Sequence, residues 1–368
     1  MAGSAEPGAN GLLMLSYCGL FGLWAASNFV LIPVTFNLIA SSTLIIYIGS
    51  HRSLRLRDKS HPNNTESETI SSEDAYKFPI MGSAVLFGLY VLIKFIKKEL
   101  LNMLLSAYFS ALGAITLAST VDPMVHMLIT SERKFGKKFN LKVMGEVDLT
   151  FTPSQAVSFL LGSVFSAIYF KTKHWAMNNV FGISFCVQAM ERISLGNYKV
   201  GAILLCGLFL YDIFWVFATP VMVAVAKGID APIKLLFPRV FADLLADPPI
   251  KAEYSMLGLG DIVIPGIFIA LLLRYDAERA GAEPKHAEQA VFSKPFFLTT
   301  CVSYVLGLGA TVGVMYYFNA AQPALLYLVP ACLLSSLLLA LCRKEFKALI
   351  AYTEEEEEEE EPAKAKSS

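Results

Sequence analysis

The chain has 368 residues, 55% of them hydrophobic and only 17% charged, which is the composition of a protein with several membrane spans and not of a soluble domain or a disordered tail. Its 30 Lys and Arg nearly balance its 31 Asp and Glu, so no excess of positive charge points to nucleic acid. The six cysteines (Cys18, Cys186, Cys206, Cys301, Cys332 and Cys342) lie in or beside apolar stretches without a CxxC, and neither a disulfide framework nor a metal site is expected from them.

A hydrocarbon core about 30 Å thick takes about 20 apolar residues per helix. On that criterion the sequence predicts an all-α polytopic membrane protein of about nine transmembrane helices. They fall near 30–49, 78–97, 100–121, 153–170, 175–194, 199–225, 255–273, 295–318 and 322–342. The first has no sharp start: apolar character runs from Gly11 to Gly49, broken only by Asn28, Pro33 and Asn37. One kinked span, two spans and a cleaved leader ending near Ser27 all stay open. Residues 1–50 contain no Lys or Arg, and a leader wants a basic start, so the balance is against cleavage.

Between the spans, residues 50–77 are rich in Ser, Asn and Glu, the linkers 122–152 and 226–254 are long enough for amphipathic or re-entrant pieces, and residues 354–368 form a charged low-complexity tail. The loops after odd-numbered spans, with the tail, hold 21 of the 30 Lys and Arg. The positive-inside rule then places those loops and the C-terminus in the cytosol and the N-terminus on the lumenal side. Four regions follow: 1–77 with the first span and a polar cytosolic loop, scaffold spans two to five in 78–194, spans six to nine in 195–342, and an acidic cytosolic tail from 343 to 368.

Spans six and seven each carry one acid, Asp212 and Asp261. The stretch of chain from Lys199 to Asp212 is as long as the stretch from Asp261 to Arg274. At 1.5 Å per helical residue both acids sit about 20 Å from the cytosolic boundary, on antiparallel neighbours. Intramembrane acids are costly and functional by default. Two carboxyls in contact in a dry site cannot both be ionised; one then serves as base toward a water while the other, protonated, polarises a carbonyl. A proton- or cation-coupled transporter would use such a pair as well, and depth matching alone leaves both open. The surroundings of Asp261 favour hydrolysis. Gly258 and Gly260 remove side chains beside it, and Pro265 has no N–H to give to the Asp261 carbonyl, so the backbone there is disposed to open for a peptide.

The stretches "LYDIFWVF" (210–217), "LGLGDIVIPGIFIALLLR" (257–274) and "QPALLYLVPAC" (322–332) resemble the YD, GxGD and PAL motifs of the presenilin-type intramembrane aspartyl proteases, and within them the signal peptide peptidase family. The resemblance covers about residues 70–342 and implies a presenilin-like fold. It also implies Asp212 and Asp261 as the catalytic pair with Tyr211 beside the first, Gly258 and Gly260 as support around the second, where the backbone argument adds Pro265, and Pro323, Ala324 and Leu325 as lining that positions substrate. Gln322 is a candidate hydrogen-bonder to substrate backbone. The implied substrates are signal peptides already released from their proteins and type II transmembrane segments, held in the bilayer; no cofactor or metal is implied. Presenilins run the other way across the membrane and work with partner subunits, whereas no long insertion separates Asp212 and Asp261 here. Self-association stays open. No HExxH surrounds any of the five histidines and no GxSxG occurs, so zinc and serine mechanisms lack their motifs.

Two peripheral signals complete the reading. Lys364 and Lys366 stand at the fifth and third positions from the end, the K-x-K-x-x spacing by which coat proteins retrieve membrane proteins to the endoplasmic reticulum, with the glutamates of 354–361 as a solvated spacer before them. Asn63-Asn64-Thr65 is a formal glycosylation sequon in a loop expected to face the cytosol.

Overall fold

A computed structural model describes residues 8–57, 68–129, 131, 133, 135–141, 145–241, 251–283, 290–318, 320 and 322–354. The Asn63 sequon, residues 355–361, Lys364 and Lys366 lie outside the described residues. The apolar run at the N-terminal side forms two helices, α1 (Gly8–Ala26) and α2 (Val34–Arg52), the second followed by a 3-10 turn over Ser53–Arg57. Pro33 caps the start of α2, where its missing N–H costs no helical bond. Asn37 Nδ2 donates to Ser27 Oγ at 2.8 Å and ties the two helices across the bend. The apolar stretch Gly11–Ala26 of α1 is shorter than a full crossing among the described residues.

The chain continues through β1 (Glu68–Thr69), α3 (Ser72–Phe95), α4 (Lys98–Leu128), the hairpin of β2 (Phe135–Leu141) and β3 (Gly145–Phe151), and α5 (Pro153–Thr172). Then come α6 (Trp175–Arg192), β4 (Ile193–Ser194), α7 (Tyr198–Phe217), α8 (Val221–Gly228), β5 (Lys234–Val240), β6 (Glu253–Gly258) and α9 (Gly260–Arg279). The C-terminal part is α10 (Pro295–Phe318), α11 (Leu325–Cys342) and α12 (Phe346–Ala351). The helix starts follow capping chemistry: Ser71 with Asp74 and Thr152 with Gln155 make capping boxes, and the Asn197 side chain accepts from Val200 N–H at 2.9 Å.

Each predicted span has its helix, and among the described residues seven are long and apolar enough to cross a bilayer: α2 with its turn, α3, α4, α5, α7, α10 and α11. The count of nine is not reached on that criterion. α6 carries Asn178, Asn179, Gln188, Glu191 and Arg192, and α9 carries Asp261, Arg274, Asp276, Glu278 and Arg279. Two boundaries also move. The sixth predicted span, 199–225, ends at Phe217 because Pro220 interrupts it, and Val221 opens the separate helix α8. The seventh, 255–273, is a strand to Gly258 and becomes helix only at Gly260, so Asp261 stands in a first helical turn instead of mid-helix.

α9 is the hub. Ile269 through Leu273 are completely buried, and α2, α6, α7, α10 and α11 all pack on it. By contrast, α3 buries only Ala75, and its exposed Ile80, Val85 and Phe87 are the surface a lipid-facing helix presents. At its far end α9 is locked by Arg274, fully buried, which donates Nε to Glu354 Oε1 at 2.6 Å, Nη2 to Oε2 at 3.1 Å and Nη1 to Ser53 Oγ at 2.9 Å. Ser194 and the Tyr352 hydroxyl also donate to Glu354. The first glutamate of the acidic run is therefore an internal counter-ion and not part of a solvated spacer. Burial, with Glu354 beside it, holds the Tyr352 phenol well above the usual tyrosine range.

α4 and α5 meet through small residues, with Ser166 Oγ donating to Ser110 O at 2.7 Å. A Cβ on Gly162 would stand 2.3 Å from the Ala114 carbonyl oxygen, a backbone atom that cannot step aside. Gly162→Ala is expected to separate these helices and destabilise the protein by roughly 1–3 kcal/mol. Thermal unfolding in detergent reads this directly, and an unchanged midpoint would contradict the packing described.

Candidate active site

Three stretches far apart in sequence meet at one place. Asp212, on α7, is only 3% exposed. Its Oδ2 accepts the backbone N–H of Leu325 at 2.9 Å. Leu325 is the first residue of α11, so this N–H is one of the donors that a helix start leaves without an internal partner, and the positive end of the helix faces the acid. Pro323 and Ala324, both buried, lead the chain into that start, and Gln322 before them is half-buried. The PAL stretch thus touches the first acid through its backbone.

Asp261 stands in the first turn of α9, half-buried. α7 and α11, which carry Asp212 and Leu325, both pack on α9, so the helices of the two acids are neighbours. Gly258 and Gly260 contribute differently. A Cβ on Gly258 would lie 3.3 Å from Asp261 Oδ2, so the glycine makes room for the carboxyl; a Cβ on Gly260 would meet only Ile264 Cδ1, at 3.8 Å. Pro265 is buried inside α9, four residues after Asp261. The carbonyl it leaves without a helical donor takes the Tyr304 hydroxyl of α10 at 3.3 Å. Tyr211 is half-buried, with its ring 6.3 Å from that of Trp215 and against Gly82 of α3.

The approach to Asp261 is a strand. β5 and β6 pair antiparallel, with Lys234 opposite Gly258 and Leu236 opposite Met256, and Leu259 N–H extends the ladder to Ile233 O at 3.1 Å. Leu235 and Leu257, opposite one another and buried, fasten the ribbon to the core. Sequence reasoning missed this ribbon and the role of Tyr304. Tyr304 is one aromatic in an apolar span and carries no motif; the ribbon's signal was the pair of short runs around residues 234–240 and 253–258, separated by a linker that holds the helix-breaking pair Pro248-Pro249.

Chemically, a buried carboxyl fixed by one N–H, on a helix packed against one that carries a second carboxyl at its start beside non-helical backbone, is suited to moving a proton to and from a bound amide and water. The sequence supports the same direction. The family model described as signal peptide peptidase matches residues 62–356. The chain is 42% identical over 327 residues to the signal peptide peptidase of Mus musculus and 40% identical over 326 residues to that of Homo sapiens; each alignment covers 86% of this chain and 82% of the relative. A probable intramembrane protease of Schizosaccharomyces pombe is 35% identical over 322 residues, covering 86% of this chain and 94% of its own.

The contrast between the two glycines is testable. Gly258→Ala, which crowds Asp261 Oδ2, is expected to lower peptide hydrolysis more than Gly260→Ala at equal amounts of folded protein. The reverse order in a detergent cleavage assay would contradict the geometry.

Proposed function

The chain belongs to the signal peptide peptidase family, and on that premise we propose that its intramembrane aspartic peptidase activity is carried by Asp212 and Asp261. The observation that carries the assignment is the convergence at Asp212: its Oδ2 holds the start of α11 through Leu325 N–H, and α7 and α11 both pack on α9, in whose first turn Asp261 stands. Both acids come from one chain, so the chemistry needs no second copy. One carboxylate takes a proton from water as the water oxygen attacks the scissile carbonyl carbon, and the protonated partner hydrogen-bonds the carbonyl oxygen. In collapse of the tetrahedral intermediate a proton passes to the amide nitrogen and the C–N bond breaks. The proton- or cation-carrier alternative has no counterpart among the relatives named above, which are proteases by name.

The substrate reading follows from the backbone. A helical peptide bond is already hydrogen-bonded and shielded, so a membrane segment must be extended before it is cut. In an antiparallel pair the residues between hydrogen-bonded pairs turn their backbone groups outward. Leu259 N–H bonds Ile233 O, so Leu257 and Ser255 face β5, while Tyr254, Met256 and Gly258 face away from it. No further strand covers that edge of β6 among the described residues. An extended substrate laid on it gains main-chain bonds and arrives within a few residues of Asp261. We assign to it signal-peptide remnants and type II segments in the endoplasmic reticulum membrane, with Gln322, Pro323 and Ala324 on the Asp212 side. Lys364 and Lys366 are the residues through which coat proteins would return the protein to that membrane.

Asp212→Asn and Asp261→Asn are each expected to abolish cleavage of a signal-peptide substrate while the purified protein keeps its thermal midpoint, since an amide replaces neither base nor proton donor. Measurable turnover by either variant would remove the assignment. The orientation has its own test: with the basic loop in the cytosol, Asn63 stays unmodified when the protein is made in microsomes. An endoglycosidase-sensitive mass shift that disappears in Asn63→Gln would overturn the topology.

A further inference from the structure

The β5–β6 ribbon has two outer edges, and they differ. On β5, Lys234, Leu236 and Pro238 are the positions whose backbone faces away from β6. Each is closed. Asn179 of α6 pairs with Leu236 as a strand would, donating Nδ2 to Leu236 O at 2.7 Å and accepting Leu236 N–H on Oδ1 at 2.8 Å. Asn178 donates Nδ2 to Lys234 O at 2.8 Å. Pro238 has no N–H to offer. The two asparagines are 5% and 6% exposed, so their amides are committed to these bonds and not shared with solvent. Gly182, one turn further along α6, lets the helix come this close: a Cβ there would stand 2.8 Å from Leu235 Cδ2 and 3.2 Å from Leu259 Cδ2. Two adjacent buried asparagines in a helix are costly unless bonded, and here what they bond is backbone that would otherwise be an open strand edge.

We propose that Asn178 and Asn179 are positioning residues for hydrolysis, closing the β5 edge and holding the ribbon in register so that substrate backbone adds only to β6, at Tyr254, Met256 and Gly258. The inference rests on the extended-substrate reading above and deepens it by naming what selects the edge and fixes the register. Neither residue touches the reacting atoms. Their effect passes through Leu236 and its partner Met256 to Gly258 and Asp261. Without them the ribbon has two edges for an incoming strand, only one of which leads to the acids, and β5 keeps its place through side-chain packing and the Lys234 Nζ bonds to Ala226 O and Ile229 O, at its first residue.

The test uses the full chain in detergent or liposomes with a signal-peptide substrate, product masses by mass spectrometry, kcat and KM, thermal midpoint, and titration with a small hydroxyl-containing transition-state analogue that engages the acids without an extended flank. In Asn179→Leu, nearly isosteric and unable to bond, kcat/KM is expected to fall at least roughly tenfold. The cut is expected to spread over neighbouring bonds while the folded fraction still binds the small analogue. Asn179→Asp keeps the acceptor for Leu236 N–H and loses the donor, and should lie between; Asn178→Ala should shift the cut in the same direction to a smaller degree. A folded Asn179→Leu protein with the wild-type product pattern and kcat/KM overturns the inference. So does a loss of cleavage and analogue binding in equal proportion, which is what a merely structural role gives. If Asn179→Leu does not fold, an unaltered cleavage position in Asn179→Asp and Asn178→Ala overturns it equally. Failure of the functional reading looks different: there the wild-type protein does not cut, or still cuts after Asp261→Asn, whatever stands at 178 and 179.

Discussion

Lipid offers no hydrogen bonds, so every backbone group freed from a helix within a membrane protein must find its partner inside the protein. That constraint governs this structure, because hydrolysis of a peptide requires what lipid forbids: carboxyl groups and open backbone at the same depth. The solution is enclosure. α9 carries Asp261 and is preceded by a strand, and it is the helix on which α2, α6, α7, α10 and α11 all pack. Its polar start is therefore lined by protein on most sides, and the apolar surface that meets lipid is supplied by peripheral elements such as α3. The polar content that takes α6 and α9 out of the fully apolar class has the same origin, since a helix shielded by neighbours has no need to be apolar throughout.

Within that enclosure each freed group is matched individually. The Asp261 carbonyl, without a donor because of Pro265, receives Tyr304; the first N–H of α11 goes to Asp212; the outer edge of β5 goes to Asn178 and Asn179. These partners come from different helices, α10, α7 and α6. The exception is the edge of β6 at Tyr254, Met256 and Gly258, for which no strand partner is present among the described residues. An uncovered edge beside a closed one marks the direction from which an extended peptide can arrive.

How much of this was legible in the sequence depends on the range of the interaction. The two acids were, because charge inside an apolar run is conspicuous and counting along the chain from Lys199 and Arg274 fixes their depth with no knowledge of the fold. Pro265 announced a freed carbonyl, but the residue that fills it is 43 positions away and chosen by packing. The strand at 253–258 was hidden because a short apolar run joined to a helix has the same composition as the helix; what makes it a strand is β5 and the two asparagines behind it, none of them local. Gly258 and Gly260 looked equivalent in "GLGD", yet only Gly258 faces the carboxyl. Glu354 looked like the first residue of a solvated run, and only the fold brings the fully buried Arg274 to it.

That last contact bears on the relative depth of the two acids. A buried guanidinium is tolerable only with its counter-ion, and Glu354 meets Arg274 through both oxygens while its own N–H bonds Gly196 O at 2.6 Å and its neighbour Thr353 pairs with Asn197. Gly196 and Asn197 are the residues that open α7, and Arg274 lies in the last turns of α9. One short segment, residues 352–354, therefore holds the start of α7 and the far end of α9, the two aspartate-bearing helices. Asp212 is as far along the chain from Lys199 as Asp261 is from Arg274, so two rigid helices of equal reach fixed to a common point must carry their carboxyls to the same level. The relative depth of the acids is in this sense set about 20 Å away from them, by ion pairing at the far end of their helices.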